Sequence, residues 1–427
     1  MKVFSLSSAP PVTETIDHLF RHESGKMVAV LTRIFGTHNL ELAEDVVQDT
    51  LLKALEHWRF SGIPDNPSAW LYKVAKNKAL DVIRREKRHN KFAEDVSTLL
   101  ESEYTLVPII KELFTEDEIQ DDVLRMMFAC CQPDLPSASQ VALILKTLCG
   151  FSIEEIAKAF LTNHEVINKR LYRARQQFRE QKVKFEIPSA NQLAARTDSV
   201  LTALYLLFNE GYNSTSNDQL IRKDLVIEAS RLCFMLTQNP KTDTANVNAL
   251  LSLMLIHASR LDARLDDQNN ILLLAEQDRT RWDHELIHSG IHYFERSMKQ
   301  GAYNFYQLQA AIALQHAIGS SFENTDWQTI LGIYDVMCKQ YPSPVAFLNR
   351  AIVLAQLEGP QRGIEEISSM PGKEKLNGYY LLPATLGELY LRDFNFAIAK
   401  KYFEEAMELT HSPAEKKLLQ QKLEKCL

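Results

Sequence analysis

The chain has 427 residues, 45% hydrophobic and 24% charged, and a formal net charge of −7; such a composition excludes disordered, collagen-like and disulfide-scaffold proteins. No apolar run approaches the roughly 20 residues that cross a bilayer, and the N-terminal MKVFSLSSAPPVTETIDHLF lacks the apolar core of a secretory signal, so a cytoplasmic protein without membrane association is expected. The charge is uneven: residues 70–92 hold eight basic and two acidic side chains, residues 164–182 hold six and two, and the rest carries −17. Two basic islands on an acidic chain point to two separate contacts with a polyanion, although either island alone would pass for a solvated helix face.

Leu, Ala, Glu and Lys recur with apolar spacings of three and four, and no alternating β-branched run sits between glycine turns, so an all-α fold is expected. Residues 40–58, LELAEDVVQDTLLKALEHW, form an amphipathic helix. Its core stripe is Ala43, Val46, Val47, Thr50, Leu51, Ala54, Leu55 and Trp58. Asp45, Gln48, Asp49 and Leu52 fall at i, i+3, i+4 and i+7 on another side, a mostly acidic face containing one leucine, which suits docking. The loop RFSGIPDNPS leads into WLYKVAKNKALDVIRREKR, where Leu71, Val74, Ala75, Ala79, Val82 and Ile83 turn inward. Lys73, Lys76, Asn77, Arg84 and Arg85 are left for a nucleic acid.

Residues 93–122 form an acidic linker. It reads as a solvated tether, or as a segment that imitates a polyanion. The six cysteines (Cys130, Cys131, Cys149, Cys233, Cys338 and Cys426) show no CxxC spacing and are expected to be buried, reduced thiols, with no cofactor or metal.

In FSIEEIAKAFLTNHEVINKRLYRARQQFRE, Ile153, Ile156, Ala157 and Phe160 make one stripe, and Ser152 with Glu155 fits a capping box. After the break Leu161-Thr162-Asn163, a second helix places Ile167, Leu171, Ala174 and Phe178 at i, i+4, i+7 and i+11. Its opposite face shows Glu165, Asn168, Lys169, Tyr172 and Gln176, flanked by Arg170, Arg173, Arg175 and Arg179. One face packs and the other can enter a major groove, which is the design of a helix-turn-helix, here without the usual turn glycine.

AEDVVQDTLLKALEHW with NPSAWLYKVAKNKALDVIRREKR resembles region 2 of extracytoplasmic-function sigma factors, the promoter-recognition subunits of bacterial RNA polymerase. FSIEEIAKAFLTNHEVINKRLYRAR resembles their region 4. DDVLRMMFACCQPDLPSASQVAL and the long extension resemble the subgroup whose C-terminus carries tetratricopeptide-like repeats; Gln132 stands where that subgroup has His, which argues against a metal there. The resemblance implies region 2 over 10–92, the linker over 93–122, region 4 over 123–183 with its helix-turn-helix near 152–171, and a helical extension over 189–427. It implies that Asp45, Gln48, Asp49 and Leu52 bind polymerase. Lys73, Lys76, Asn77, Arg84 and Arg85 would meet the −10 element, where flipped bases need apolar contact and edge hydrogen bonds. Glu165, Asn168, Lys169, Arg170, Tyr172, Arg173 and Arg175 would meet the −35 duplex, the arginines through backbone contacts or packing. The implied partners are core RNA polymerase, through its β′ clamp and β subunits, and promoter DNA; the protein itself would not be an enzyme.

The C-terminal half is helical and acidic. In PATLGELYLRDFNFAIAKKYFEEAMEL, Leu386, Gly387, Tyr390, Ala399, Phe403 and Ala406 hold tetratricopeptide spacing, and PSPVAFLNRAIVLAQLEGPQRGIEEI reads as a degenerate preceding unit. Asp278, Arg279, Arg281 and Trp282 belong either to a network that holds helices together or to a site for a protein or ligand partner. His284, Glu285 and His288 satisfy HExxH, but His292 lies two turns on, about 12 Å along the helix, too far to complete a zinc site. The competing functional readings are thus a helix-turn-helix regulator with a ligand-sensing domain and, remotely, a zinc hydrolase.

Overall fold

The computed structural model describes residues 12–86, 113–160, 162–181, 183–188, 190–214, 221–298, 303–410 and 412–426. These residues form eighteen α-helices and no strand, apart from a single bridge between Leu265 and Ile271. The all-α expectation holds. Two compact units divide the chain, Lys2–Phe208 with Ile227–Thr242, and Asn209–Val226 with Asp243–Leu427.

In the N-terminal unit, α1 (Val12–Phe35) is the central helix, packed against α2 (Leu40–Ser61), α3 (Pro67–Glu86) and α4 (Glu116–Cys130). It buries Met27, Leu31, Ile34 and Phe35 completely. Its buried Glu23 accepts from Ser68 Oγ at 3.0 Å and from the Tyr72 hydroxyl, and has Lys26 at 3.6 Å, so α3 is tied to α1 by a charge that is neutralised where it is buried. Gly25 allows a close approach: a Cβ there would lie 2.1 Å from the Leu148 carbonyl oxygen. Next come α5 (Ser137–Thr147), α6 (Ile153–Ala159) and α7 (His164–Glu180). Most of the acidic linker, residues 93–112, lies outside the described residues. Its last part opens α4, where Glu118 and the fully buried Asp122 both meet Arg33 of α1.

This unit continues beyond residue 189. Within it, Arg196 of α8 (Ala190–Tyr212) donates to the Phe128 carbonyl at 3.5 Å, and Ser199 and Ser137 hydroxyls lie 3.3 Å apart. From α9 (Lys223–Gln238), Glu228 takes both nitrogens of Arg231 (2.9 and 2.7 Å) and His22 Nδ1 of α1 at 2.7 Å. Arg231 and His22 hold the Glu228 carboxyl well below the usual carboxylate range against the effect of burial. The division between units therefore falls at Phe208 and within α9, not at the 183–189 boundary expected from sequence.

In the C-terminal unit, α10 (Ala245–Ala258) is apolar all round and buried from Val247 to Ile256. Its buried Ser252 donates to the Gly290 carbonyl of α11 (His284–Ser297) at 2.7 Å, and a Cβ on Gly290 would lie 2.6 Å from Ile256. Then follow α12 (Phe305–Ile318), α13 (Trp327–Gln340), α14 (Pro344–Glu358), α15 (Pro360–Ser369), α16 (Leu381–Arg392), α17 (Phe396–Leu409) and α18 (Pro413–Glu424). Each packs on the next in order. Leu348, Ala351, Leu382, Leu386 and Leu389 share one core cluster, and Ala399, Phe403, Ala406 and Leu419 another. Gly387 lets α16 approach Phe403 so closely that a Cβ would sit 2.7 Å from its ring.

Val200, Leu201, Leu204, Leu207, Leu232, Cys233 and Leu236 are buried in the N-terminal unit. A fragment ending at Glu186 should consequently lose cooperative thermal unfolding, measured by circular dichroism, whereas one ending at Thr242 should keep it. Equal cooperativity in the two fragments would show that residues 190–242 add nothing to that core.

Candidate polymerase and nucleic-acid interface

The candidate residues lie on α2, α3 and α7. On α2, Ala43, Val46, Val47, Thr50, Ala54 and Trp58 are buried, as the stripe requires, while Leu51 is half-buried and Leu55 is exposed. The core stripe is narrower than expected because α1, α3 and α7 cover one side of α2 and leave Leu55 in solvent. Asp45, Gln48, Asp49 and Leu52 are all exposed and share one face, with Leu52 58% exposed. Exposed Leu55 and, in the last turn of α2, Phe60 at 88% add apolar surface to this helix, which the stripe assignment missed by placing Leu55 in the core. Asp49 pairs with Lys78 of α3 at 3.1 Å; such an exposed pair contributes only about 0–1 kcal/mol and exchanges readily for a partner's charge.

On α3, Asn66 caps the N-terminus by accepting from Ala69 N–H at 3.0 Å. Trp70 stacks on His57 (5.5 Å, 12°) and meets Trp58 edge-on at 5.4 Å. Leu71, Ala75, Ala79, Leu80 and Ile83 are buried. Lys73, Asn77, Arg84 and Arg85 are exposed and Lys76 half-buried, so the five cationic and amide candidates reach solvent from a helix whose other side is core. Arg84 also lies 3.7 Å from Asp81.

The α6–α7 pair is a helix-turn-helix. Glu155 N–H donates to Ser152 Oγ at 3.1 Å and Ser152 N–H to Glu155 Oε2 at 2.7 Å, completing the capping box. Thr162 N–H reaches the Ala157 carbonyl at 2.9 Å and Asn163 caps α7 through Val166 N–H at 3.0 Å. These bonds close the turn without the glycine. Ile156, Ala157, Ile167, Leu171, Ala174 and Phe178 are buried together. Glu165, Asn168, Lys169, Tyr172 and Arg173 are exposed on the outer side, Tyr172 at 62%.

Two of the arginines expected beside that face, for backbone contacts or packing, are taken up by packing. Arg170 lies 5.1 Å over the Phe160 ring and packs the turn. Arg175 donates to both carboxylate oxygens of Glu44 on α2, at 2.9 and 3.2 Å, with Thr147 Oγ1 at 3.4 Å from the same group. Burial pushes the Glu44 carboxyl up from its ordinary value, and Arg175 pulls it back. Arg179 adds an exposed pair with Glu41 at 3.1 Å. Glu118, expected to act in the linker, instead pins α4 to Arg33, which holds its carboxyl below the usual range. Between Arg33 and Arg125, Asp122 is buried deeply enough to be pushed up to about 6. None of these long-range partners is visible in local spacing.

The other sequence candidates take structural positions. Gln132 donates to the Ala129 carbonyl at 2.8 Å, a packing role. Cys130, Cys131, Cys149 and Cys233 are buried free thiols, and burial raises each one's pKa. His284, His288 and His292 are exposed on α11, and among the described residues no three metal-capable side chains converge. Asp278 is a turn cap accepting from Thr280 N–H, Arg281 is exposed, and Trp282 is buried.

Comparison with known proteins then gives the family. Residues 19–89 match the model of sigma-70 region 2, which covers α2 and α3 with their exposed faces. The chain carries a sigma-70 region 2 domain. It is 27% identical over 173 residues to RNA polymerase sigma factor YlaC of Bacillus subtilis, covering 40% of this chain and 94% of that one. To the ECF RNA polymerase sigma factor SigE of Mycolicibacterium smegmatis it is 25% identical over 178 residues, 42% of this chain and 65% of the other. Both alignments are longer than region 2 alone. An uncharacterized protein of Rhizobium meliloti is 32% identical over 399 residues, 93% of this chain and 92% of that protein, so the two belong to one full-length family. Residues 196–298 of the same chain match a family of unknown function, DUF6596. No solved structure matches the chain. None of its described helices is long and apolar enough to cross a membrane.

The Glu44–Arg175 pair is testable apart from function. Arg175→Ala strands a part-buried carboxylate and should destabilise the protein by about 1–3 kcal/mol. Adding Glu44→Ala should recover part of that loss in a double-mutant cycle of denaturant midpoints, whereas Tyr172→Ala should leave the midpoint unchanged. Strictly additive losses at 44 and 175 would mean that the pair carries no coupling.

Proposed function

We propose that this protein is a sigma factor of the extracytoplasmic-function type that binds core RNA polymerase, directs it to a −35/−10 promoter and leaves catalysis to the core enzyme, in the cytoplasm. What carries the reading is one observation: three separately exposed faces, on α2, α3 and α7, stand on one core, and two of them fall within the sigma-70 region 2 match. A repressor needs the α7 face but has no use for an acidic α2 face beside a basic α3 face.

In this reading Asp45, Gln48, Asp49 and Leu52 dock on the β′ clamp helices, with Leu55 and Phe60 supplying apolar area beside them. Lys73, Lys76, Arg84 and Arg85 hold phosphates of the −10 element. Asn77 offers an amide to a flipped base. Asn168, Lys169 and Tyr172 read the −35 duplex, with Glu165 and Arg173 at the edge of the same face. Arg170 and Arg175 act by holding α7 in place. The helical extension is tetratricopeptide-like over α14–α17 and regulates the sigma module through contact or a partner. A positive role is favoured, because residues 190–208 and 227–242 already belong to the core that carries the three faces.

Transcription in vitro with core polymerase tests this directly. Asp45→Arg with Gln48→Ala reverses charge on the docking face while sparing the buried stripe, and should abolish co-purification with core polymerase; capture at the wild-type level would sink the assignment of that face. Lys169→Ala and Tyr172→Ala should each weaken −35 binding by about 1–3 kcal/mol without changing the melting temperature. Unchanged promoter activity, with the −35 sequence still required, would place the reading surface elsewhere.

A further inference from the structure

The C-terminal unit sets arginines around aromatic and imidazole rings with, among the described residues, no carboxylate paired to them. Arg264, which follows α10 and a short turn, lies 3.8 Å over the Tyr212 ring and donates to the Tyr212 carbonyl. Arg260 lies 5.7 Å from the same ring. Arg279, in the turn before α11, lies 4.7 Å over Trp282 and donates to the carbonyls of His316 and Gly319 at 2.6 and 2.5 Å. Arg260 is the common neighbour, acting electrostatically on Arg264, Arg279 and His316. Arg260 and Arg264 thus share the Tyr212 ring, and Arg279, bonded to the end of α12, stands within electrostatic reach of Arg260.

Carbonyls and ring faces occupy some of the donors but supply no net negative charge. Among the described residues, none of the three arginines has a carboxylate within ion-pair distance; the nearest acidic influence is Glu323, exposed and acting on Arg279 from further away. Buried Arg279 Nη2, Trp282 Nε1 and His316 Nδ1 have no hydrogen-bond partner. Burial pushes the Arg264 guanidinium below its ordinary value, with Arg260 adding to the shift. Burial, then Arg260 and Arg279, bring the His316 imidazole down to about 4, so it is neutral at pH 7 and leaves the three arginines as the positive charges. Like charges near one another repel, most where burial removes them from water, as at Arg264, and buried charges in folded proteins are ordinarily paired. What is missing is a counter-anion. Guanidinium forks match the planar or tetrahedral oxygens of carboxylate and phosphate groups.

We propose that the C-terminal unit binds a small, multiply charged oxyanion, carrying phosphate or carboxylate groups, at Arg260, Arg264 and Arg279. Binding would bring negative charge that the described residues around the cluster do not supply and give the unpartnered donors of Arg279 and Trp282 acceptors. The proposal does not depend on the sigma-factor reading, since its test reads binding and not transcription.

The experiment uses the full-length protein, with inorganic phosphate and succinate as probes, each titrated by calorimetry and thermal unfolding at constant ionic strength. Saturable binding of at least one probe is expected, with a matching rise in melting temperature; which of the two binds distinguishes phosphate-bearing from carboxylate-bearing ligands. Arg260→Gln removes one guanidinium from a half-exposed position and should weaken that binding by about tenfold or more, while raising the melting temperature of the ligand-free protein because repulsion is relieved. Arg281→Gln, outside the cluster, should bind as wild type. If glutamine at 260 prevents folding, Arg260→Lys replaces it, keeping the charge but losing the fork, with weaker binding again expected. Absence of saturable binding by both probes, or binding that is unchanged in the position-260 variant, overturns the proposal and makes the cluster a packing network.

Discussion

The contact on which the N-terminal unit most depends is the pairing of Glu44 with Arg175. One carboxylate on the inner edge of α2 and one guanidinium on the inner edge of α7 join the first three helices to the helix-turn-helix. Both are partly removed from water, so either alone would be costly there, and each makes the other tolerable. Arg33 with Asp122 and Arg21 with Glu155 (3.3 Å) repeat the arrangement from α1 to α4 and to α6. Because the seam runs along one side of α2, the opposite side stays open. A single helix of 22 residues can then pack, pair and still present Asp45, Gln48, Asp49 and Leu52 outward.

The charges of this unit therefore divide by depth. Those that are buried have geometry that leaves no choice of partner: Glu228 lies between Arg231 and His22, and Glu23 among Lys26, Ser68 and Tyr72. Those on the candidate faces either lack such partners or make exposed pairs such as Asp49–Lys78, which water and salt already compete with. A docking or DNA-binding face needs the second kind, because an incoming phosphate or side chain must displace whatever is there. Basic composition alone does not distinguish the two kinds. Arg173 and Arg175 are two residues apart on one helix, yet one faces solvent and the other is committed to Glu44.

The C-terminal unit is held together differently. Its first helix, α10, is apolar on every side and has to be enclosed, with Ser252 and Gly290 allowing α11 to come close. The later helices pack mainly on their sequence neighbours, an arrangement in which each pair relies on the next to cover its apolar side. Arg279 bonded to the end of α12 belongs to the network that holds helices together, while its remaining nitrogen has no partner.

Much was determined by the sequence on its own, because it depends on period and local bonding. Helical content, the buried seam of Ile167, Leu171, Ala174 and Phe178, the Ser152–Glu155 capping box and the exposed faces of α2 and α3 all follow from which residues recur every three or four positions. The resemblance to sigma region 2 rested on the same stretch that the family match covers. The tertiary structure alone decided what lies opposite each side chain. It exposed Leu55 where the stripe placed it in the core, gave Arg175 to Glu44, gave Glu118 to Arg33, and drew residues 190–208 and 227–242 into the core of the first unit. Those partners lie from 85 to 206 residues apart in the chain, as Arg33–Glu118 and His22–Glu228 show. Periodicity tells which way a side chain points relative to its own helix; only packing determines which other helix, or which water, it meets.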